Sequence, residues 1–206
     1  MSVTLILVII TVLTSLYAWN NQDILRKWIF NPYSVNEYKQ YYRFITSGFI
    51  HNDFIHLLFN MLVLWMFGEQ VEYVFAAIYG TLGKFIFVAL YILGIIVSDI
   101  PTYLKHKNHA YYNALGASGG VASVLFSFIL FAPAQKLYLY GLIGLPGIAW
   151  AALYILYSVY MGKRAGDNIN HDAHLYGSLF GVVFTILVYP KIIPHFIDQL
   201  SNFSLF

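Results

Sequence analysis

Six apolar runs, separated by polar, glycine or proline positions, divide this chain of 206 residues at approximately 2–19, 54–76, 82–99, 115–132, 146–161 and 172–190. A helix needs roughly 20 apolar residues to cross the hydrocarbon of a bilayer, and fewer where the bilayer thins. The pattern therefore predicts an all-α membrane protein, a bundle of six transmembrane helices in a single domain over 1–206. The fourth and fifth runs are short. Pro133 and Pro146, with Gly141 and Gly144 between them, predict an interfacial turn or hairpin over 134–145, with Tyr138 and Tyr140 at headgroup level. The first run, 2–19, lacks a Lys/Arg-rich start and ends Tyr17-Ala18-Trp19-Asn20-Asn21, which favours a retained helix over a cleaved signal peptide.

Between the runs, the longest connection, 20–53, carries Trp28, Tyr33, Tyr38, Tyr41 and Tyr42 among its charges. Amphipathic rings are stable at a membrane surface, so this segment is expected to be a long interfacial first loop. A polar loop over 101–113 is expected to leave His106 and His109 solvated, and the tail after Pro190 to form an interfacial end without chemistry. Composition agrees with a membrane chain: 60% of residues are hydrophobic and 10% charged, against about a quarter charged in soluble domains. The formal charge of +2 is too thinly spread to bind nucleic acid, and the absence of cysteine excludes disulfides, thiolate catalysis and Cys-based metal sites.

Each passage through a bilayer reverses direction, so the N-terminal ends of the second, fourth and sixth helices share one side of the membrane. Near those ends stand His56 and Asn60, then Ser118, then His174. At 1.5 Å per residue they occupy one layer less than about 10 Å deep. Unpaired polar groups in a span cost several kcal/mol, so these side chains are expected to face one another. Ala173, Gly177 and Gly181 on the last helix, and Gly119, Gly120 and Ala122 on the fourth, would let the backbones approach closely. A serine beside an imidazole is the usual pairing of nucleophile and base. His56 and Asn60, four residues apart on one face, could offer N–H donors to an oxyanion, together with the Ser118 backbone N–H at a helix N-terminus. The bland alternative for His56 and Asn60 is a structural hydrogen-bonded pair. His51 and His171 fall at loop–helix junctions and are expected to be structural or water-facing. No acidic residue stands obviously placed to orient His174; Asp172 is expected in a loop.

Gly116-Ala117-Ser118-Gly119, Ala173-His174-x-x-Gly177-x-x-x-Gly181 and His56-Leu57-Leu58-Phe59-Asn60 together resemble, in order and spacing, the motifs of rhomboid-family intramembrane serine proteases in their minimal six-helix form. The resemblance runs from about residue 2 to residue 190. It implies catalysis by a Ser118–His174 dyad, oxyanion stabilisation by His56 and Asn60, no cofactor or metal, and transmembrane proteins of the bilayer as substrates. Gly68-x-x-x-Glu72 resembles the family's Gly-x-x-x-Glu, whose carboxylate supports loops on the non-catalytic side. Two positions depart from the pattern: Tyr42-Arg43 stands for the frequent Trp-Arg, and Ala122 for a tyrosine that in many members packs on the histidine. The resemblance also implies a bacterial cytoplasmic membrane, cytoplasmic termini and a site opening to the extracytoplasmic side. The charge count points the other way: Arg26, Lys27, Lys39, Arg43, Lys105, Lys107, Lys163 and Arg164 follow odd-numbered spans, against Lys84, Lys136 and Lys191 on the opposite side.

Three other classes compete. His51, His56, His171 and His174 could be ligands of a zinc hydrolase, although no His-Glu-x-x-His occurs and Gly116 to Gly119 would go unused. A catalytically silent relative that binds membrane clients would be expected to lack the serine or the histidine. A transporter is disfavoured because no acidic residue sits mid-span and no long inverted repeat is apparent.

Overall fold

A computed structural model describes residues 1–139, 143–164 and 169–203. Helix α1 (Val3–Trp19) opens at Ser2, whose Oγ accepts from the Leu5 N–H at 3.2 Å. It buries a polar stripe of Thr4, Thr11 and Ser15. The first connection is folded, not loose. It forms α2 (Gln22–Trp28), α3 (Pro32–Tyr38), α4 (Arg43–Thr46) and a 3₁₀ turn, Ser47–Phe49. Asn21 and Asn31 cap α2 and α3 by accepting from Ile24 N–H and Ser34 N–H. The rings of Tyr38, Tyr41 and Tyr42 are exposed, as an interfacial segment requires.

Helix α5 (Phe54–Tyr79) starts at Asp53, whose Oδ1 accepts from His56 N–H at 2.8 Å. It ends at Gly80, whose φ of 63° and ψ of −138° turn the chain straight into α6 (Thr81–His106). Two boundaries differ from the sequence expectation. Helix α6 runs seven residues past 99, through Pro101, so His106 lies in its last turn and not in a loop. Tertiary bonds hold this extension: Thr102 Oγ1 to Asn170 Oδ1 at 3.1 Å, Tyr103 Oη to Asn36 Oδ1 at 3.1 Å, and Lys105 to Asp172 at 3.3 Å. Asp172 accordingly sits in the first turn of α9, not in a loop. Helix α7 (Ser118–Phe131) begins three residues later than 115, because residues 114–117 are committed elsewhere. Ala114 exchanges both backbone bonds with Phe30, Gly116 N–H donates to Ser47 O, and Ala117 N–H donates to His51 Nε2.

Strands β1 (Lys136–Leu139) and β2 (Ile143–Pro146) pair antiparallel, so the expected hairpin forms; Tyr140 lies outside the described residues. Helix α8 (Gly147–Arg164) follows, anchored by Trp150 Nε1 donating to Leu137 O at 2.9 Å. Helix α9 (His171–Val188) is capped by Asn170 and packs on α6, α7 and α8. The tail forms an amphipathic helix, α10 (Ile192–Ser201), seated beneath α7 through His195 Nε2 at 2.8 Å from Phe131 O.

Among the described residues, α5, α6 and α9 are long and apolar enough to cross a membrane, while α1 and α7 are shorter apolar helices. The protein is an integral membrane protein. At the end of α5 away from His56, Glu72 is buried and accepts from Val3 N–H, Thr4 N–H and Thr4 Oγ1, each at 2.8 Å. It thereby caps the start of α1, in keeping with the supporting role implied for this carboxylate.

Candidate active site

Small residues bring three helices into backbone contact. A methyl group added at Gly177 of α9 would strike the backbone of Gly119 on α7, and one at Gly181 would strike the backbone of Ser123. Gly119 in turn abuts Ser98 of α6, and Gly120 abuts Tyr91 and Ile95. Gly177 and Gly181 thus meet α7 as expected, but Gly120 faces α6, and Ser123 supplies the second contact to α9. Hydrogen bonds follow the same seam. Ser123 Oγ donates to Gly177 O at 2.9 Å, and Thr185 Oγ1 lies 2.8 Å from Ser127 Oγ.

Ser118 immediately precedes Gly119, and His174 stands one turn before Gly177, so the same crossing carries both side chains to one end of the α7–α9 pair. Both are partly accessible. Ser118 is the first residue of α7, and no side chain caps that helix at Ala117. The N–H groups of Ser118, Gly119 and Gly120 therefore have no carbonyl within their own helix; the first α-helical bond is Val121 N–H to Ala117 O. The ring of His174 packs face-on against Tyr154 of α8, with centroids 5.8 Å apart and planes 25° apart, and edge-on against His171. Tyr154 rests on Phe126 of α7. Where Ala122 leaves no tyrosine on α7 to pack on the histidine, α8 provides one. No sequence signal marks this substitution of roles, because Tyr154 meets His174 only through the bundle.

His56 reaches the loop ahead of Ser118. Its imidazole fills the space a side chain at Gly116 would take, with Cε1 2.5 Å and Nε2 2.9 Å from that Cβ position. Gly116 also has φ of 117°, so glycine is demanded there twice. Asn60 is buried, and its Nδ2 donates to His56 O at 2.9 Å. One Asn60 donor is thus spent on its own helix, which is the structural alternative for this pair, and the second N–H has no bond to a described residue.

His51 is fully buried and structural. Its Nε2 accepts from Ala117 N–H, so the proton sits on Nδ1, 3.1 Å from Ser15 Oγ. Burial, then the nearby His56, pushes its pKa down to about 3, so it stays neutral and keeps that tautomer. The Asp53 carboxyl is held below its ordinary value, first by the backbone N–H of His56. The four histidines that could have been zinc ligands fall into two pairs, His51 with His56 and His171 with His174. Among the described residues, no three His, Asp or Glu side chains converge as metal ligands.

One acidic residue is not anticipated by the sequence pattern. Asp99, expected at the last position of a span, is buried within the lengthened α6, seven residues before its end. It lines a cavity of about 20 Å³, the size of one water molecule, together with Ser98, Gly116, Ser118, Asn170 and Ala173. No hydrogen bond or ion pair joins it to a described residue. Ser98, its neighbour in the chain, touches Gly119 of α7.

A sequence model of the Rhomboid domain matches residues 38–191. The chain is 34% identical over 144 residues to presenilin-associated rhomboid-like protein A, mitochondrial, of Danio rerio, covering 67% of this chain and 35% of the relative. It is 34% identical over 148 residues to rhomboid protein 1, mitochondrial, of Saccharomyces cerevisiae, covering 68% and 40%. It is 30% identical over 152 residues to the putative rhomboid protease YdcA of Bacillus subtilis, covering 74% and 69%. The matches thus span well under half of the two mitochondrial relatives. With the domain matched over most of its length, this chain belongs to the rhomboid family.

Proposed function

We propose that the chain is an intramembrane serine endopeptidase of six membrane passages and a single domain, with Ser118 as nucleophile and His174 as base. The observation that carries this is the glycine crossing of α7 and α9, which sets a hydroxyl beside uncapped N–H donors and an imidazole one turn above the same crossing. Transfer of the Ser118 proton to His174 frees Oγ to attack a substrate carbonyl. The resulting oxyanion is met by first-turn N–H groups of α7, with His56 and the remaining Asn60 donor beside it. His174 then protonates the leaving amine, and a water molecule repeats the sequence to release the acyl group from Ser118.

The substrate is a transmembrane segment of another protein, unwound locally, since a helix conceals its carbonyls in i to i−4 bonds. That a Bacillus relative is named a putative rhomboid protease supports the activity, and the membrane proposed is a bacterial cytoplasmic one; the Danio and Saccharomyces relatives are mitochondrial by name. The site opens to the extracytoplasmic side. Purified protein should react with a fluorophosphonate and cleave a model transmembrane substrate. Ser118→Ala and His174→Ala should each lower cleavage by about 10⁴-fold while leaving the thermal midpoint in detergent unchanged. Undiminished turnover in either variant sinks the assignment. A folded wild type that binds substrate without cutting it supports the silent client-binding alternative.

A further inference from the structure

The folded first connection and Asn113 line an open cavity of about 240 Å³, whose lining shares no residue with the Ser118 cavity. Arg26 and Arg43 line it with Ser34 and Asn113, and Leu25 and Ile29 complete the wall. No Asp or Glu is among the lining residues. Arg43 is only 7% exposed. Its Nε donates to Gln40 Oε1, and its Nη1 to Arg26 O and Ile29 O, at 2.6 to 2.9 Å. All three acceptors are neutral, and neither Arg26 nor Arg43 forms an ion pair with a described residue. Burial holds the Arg43 pKa below its ordinary value, a cost that no counter-charge among the described residues offsets. A buried guanidinium with a free edge, beside a second arginine and short polar residues, is complementary to a planar-faced or tetrahedral oxyanion.

The depth of the cavity narrows the choice of anion. The exposed side chains of Tyr38, Tyr41, Tyr42 and Ile45 rim the same connection, an aromatic and aliphatic edge typical of headgroup level. The connection is tied to the end of α6 through Asn36 and Tyr103. We propose that this cavity binds the phosphate of an anionic phospholipid headgroup, with Arg26 and Arg43 as its cationic ligands and Leu25 and Ile29 against the glycerol end. The bound lipid would brace the wall made by Asn31, whose Nδ2 holds Ala110 O, Tyr112 O and Asn113 Oδ1. That wall leads through the Phe30–Ala114 pair to Gly116 and Ser118. The proposal rests on the membrane placement and, only for its effect on rate, on the proteolytic function.

Binding can be tested apart from proteolysis, by native mass spectrometry of the full chain carrying Ser118→Ala, released from micelles containing equal phosphatidylglycerol and phosphatidylcholine. The expected result is a retained phosphatidylglycerol adduct, reduced at least about tenfold by Arg26→Gln and by the cavity-filling Ser34→Leu, and unchanged by Lys27→Gln outside the cavity. Millimolar inorganic phosphate should not displace it. Equal retention in Arg26→Gln and the parent protein, or equal loss in Lys27→Gln, overturns the site. Thermal stabilisation by inorganic phosphate alone, lost in Arg26→Gln and accompanied by no lipid adduct, overturns the lipid as source in favour of a soluble phosphate. In vesicles, phosphatidylglycerol should raise cleavage by otherwise wild-type protein and not by Arg26→Gln; if no protein cleaves while the adduct is present, the function fails and the site stands.

Discussion

The two ends of α5 are built on opposite terms. At the Glu72 end, three donors from α1 converge on one buried carboxylate, so a helix N-terminus, which otherwise leaves its N–H groups unsatisfied, is closed by a side chain from a neighbour. At the His56 end, the N-terminus of α7 has no side-chain cap. Its approach is held by glycine and by His51, and a buried carboxyl, Asp99, stands beside it without a bond to a described residue. Satisfied polarity at one end fastens helices together. Unspent polarity at the other is available to a reacting group, which is why the same kind of helix terminus is structural in α1 and proposed to be catalytic in α7.

This contrast meets its severest test at Gly116. Gly116→Val places a branched side chain at a φ of 117° and into the His56 ring, so cleavage should fall by at least about 100-fold, with a stability loss of about 1–3 kcal/mol. A variant that cuts at the parent rate shows that the loop ahead of Ser118 need not hold this shape. The mirror experiment is Glu72→Ala. Removing the shared acceptor of three donors should cost about 2–4 kcal/mol of stability, read as a lower thermal midpoint, while the rate per folded molecule remains near that of the parent. A selective loss of rate without loss of stability would erase the distinction between the ends.

Tyr154 probes the site end more finely. Tyr154→Leu keeps apolar volume but removes the face against which His174 packs, so cleavage should drop roughly 10-fold, with Tyr154→Phe close to the parent. Equal activity of the Leu and Phe variants would show that the ring does not orient the imidazole. The last test concerns acid. His51 has a folded pKa of about 3 against an ordinary 6.5, so below pH 6.5 the unfolded chain takes up a proton that the folded chain does not. Its contribution is complete above pH 6.5 and declines by about 1.4 kcal/mol per pH unit toward pH 3. Thermal midpoints measured across that window should fall with acid in the parent and less steeply in His51→Gln, which keeps an acceptor for Ala117 and a donor for Ser15. Parallel curves would remove His51 from the acid response.

Much of the fold is legible in the order of residues. The hydrophobic runs locate α1, α5, α8 and α9 to within a few residues, because a sustained apolar run bounded by polar, glycine or proline positions marks a helix locally. The hairpin at 136–146 follows from its prolines and glycines, and the motif spacings place Ser118, His174, His56 and Asn60 near matching helix ends. The end of α6 is not legible in the same way. Pro101 signals a stop, and what carries the helix past it is a set of bonds from Asn36, Asn170 and Asp172, residues distant in the chain. The same bonds place Asp99 inside a helix, where the local pattern puts it at an end.

A membrane-embedded helical chain of rhomboid character is written into the residues themselves, since apolar length and the order of a few polar and glycine positions are local properties. Four pairings are not written there: His51 holds Ala117, Tyr154 backs His174, Asp99 lines the Ser118 cavity, and Arg26 and Arg43 share another. Each depends on which side chains from separate helices meet, and close packing of rigid helices, not the composition of any one of them, settles that.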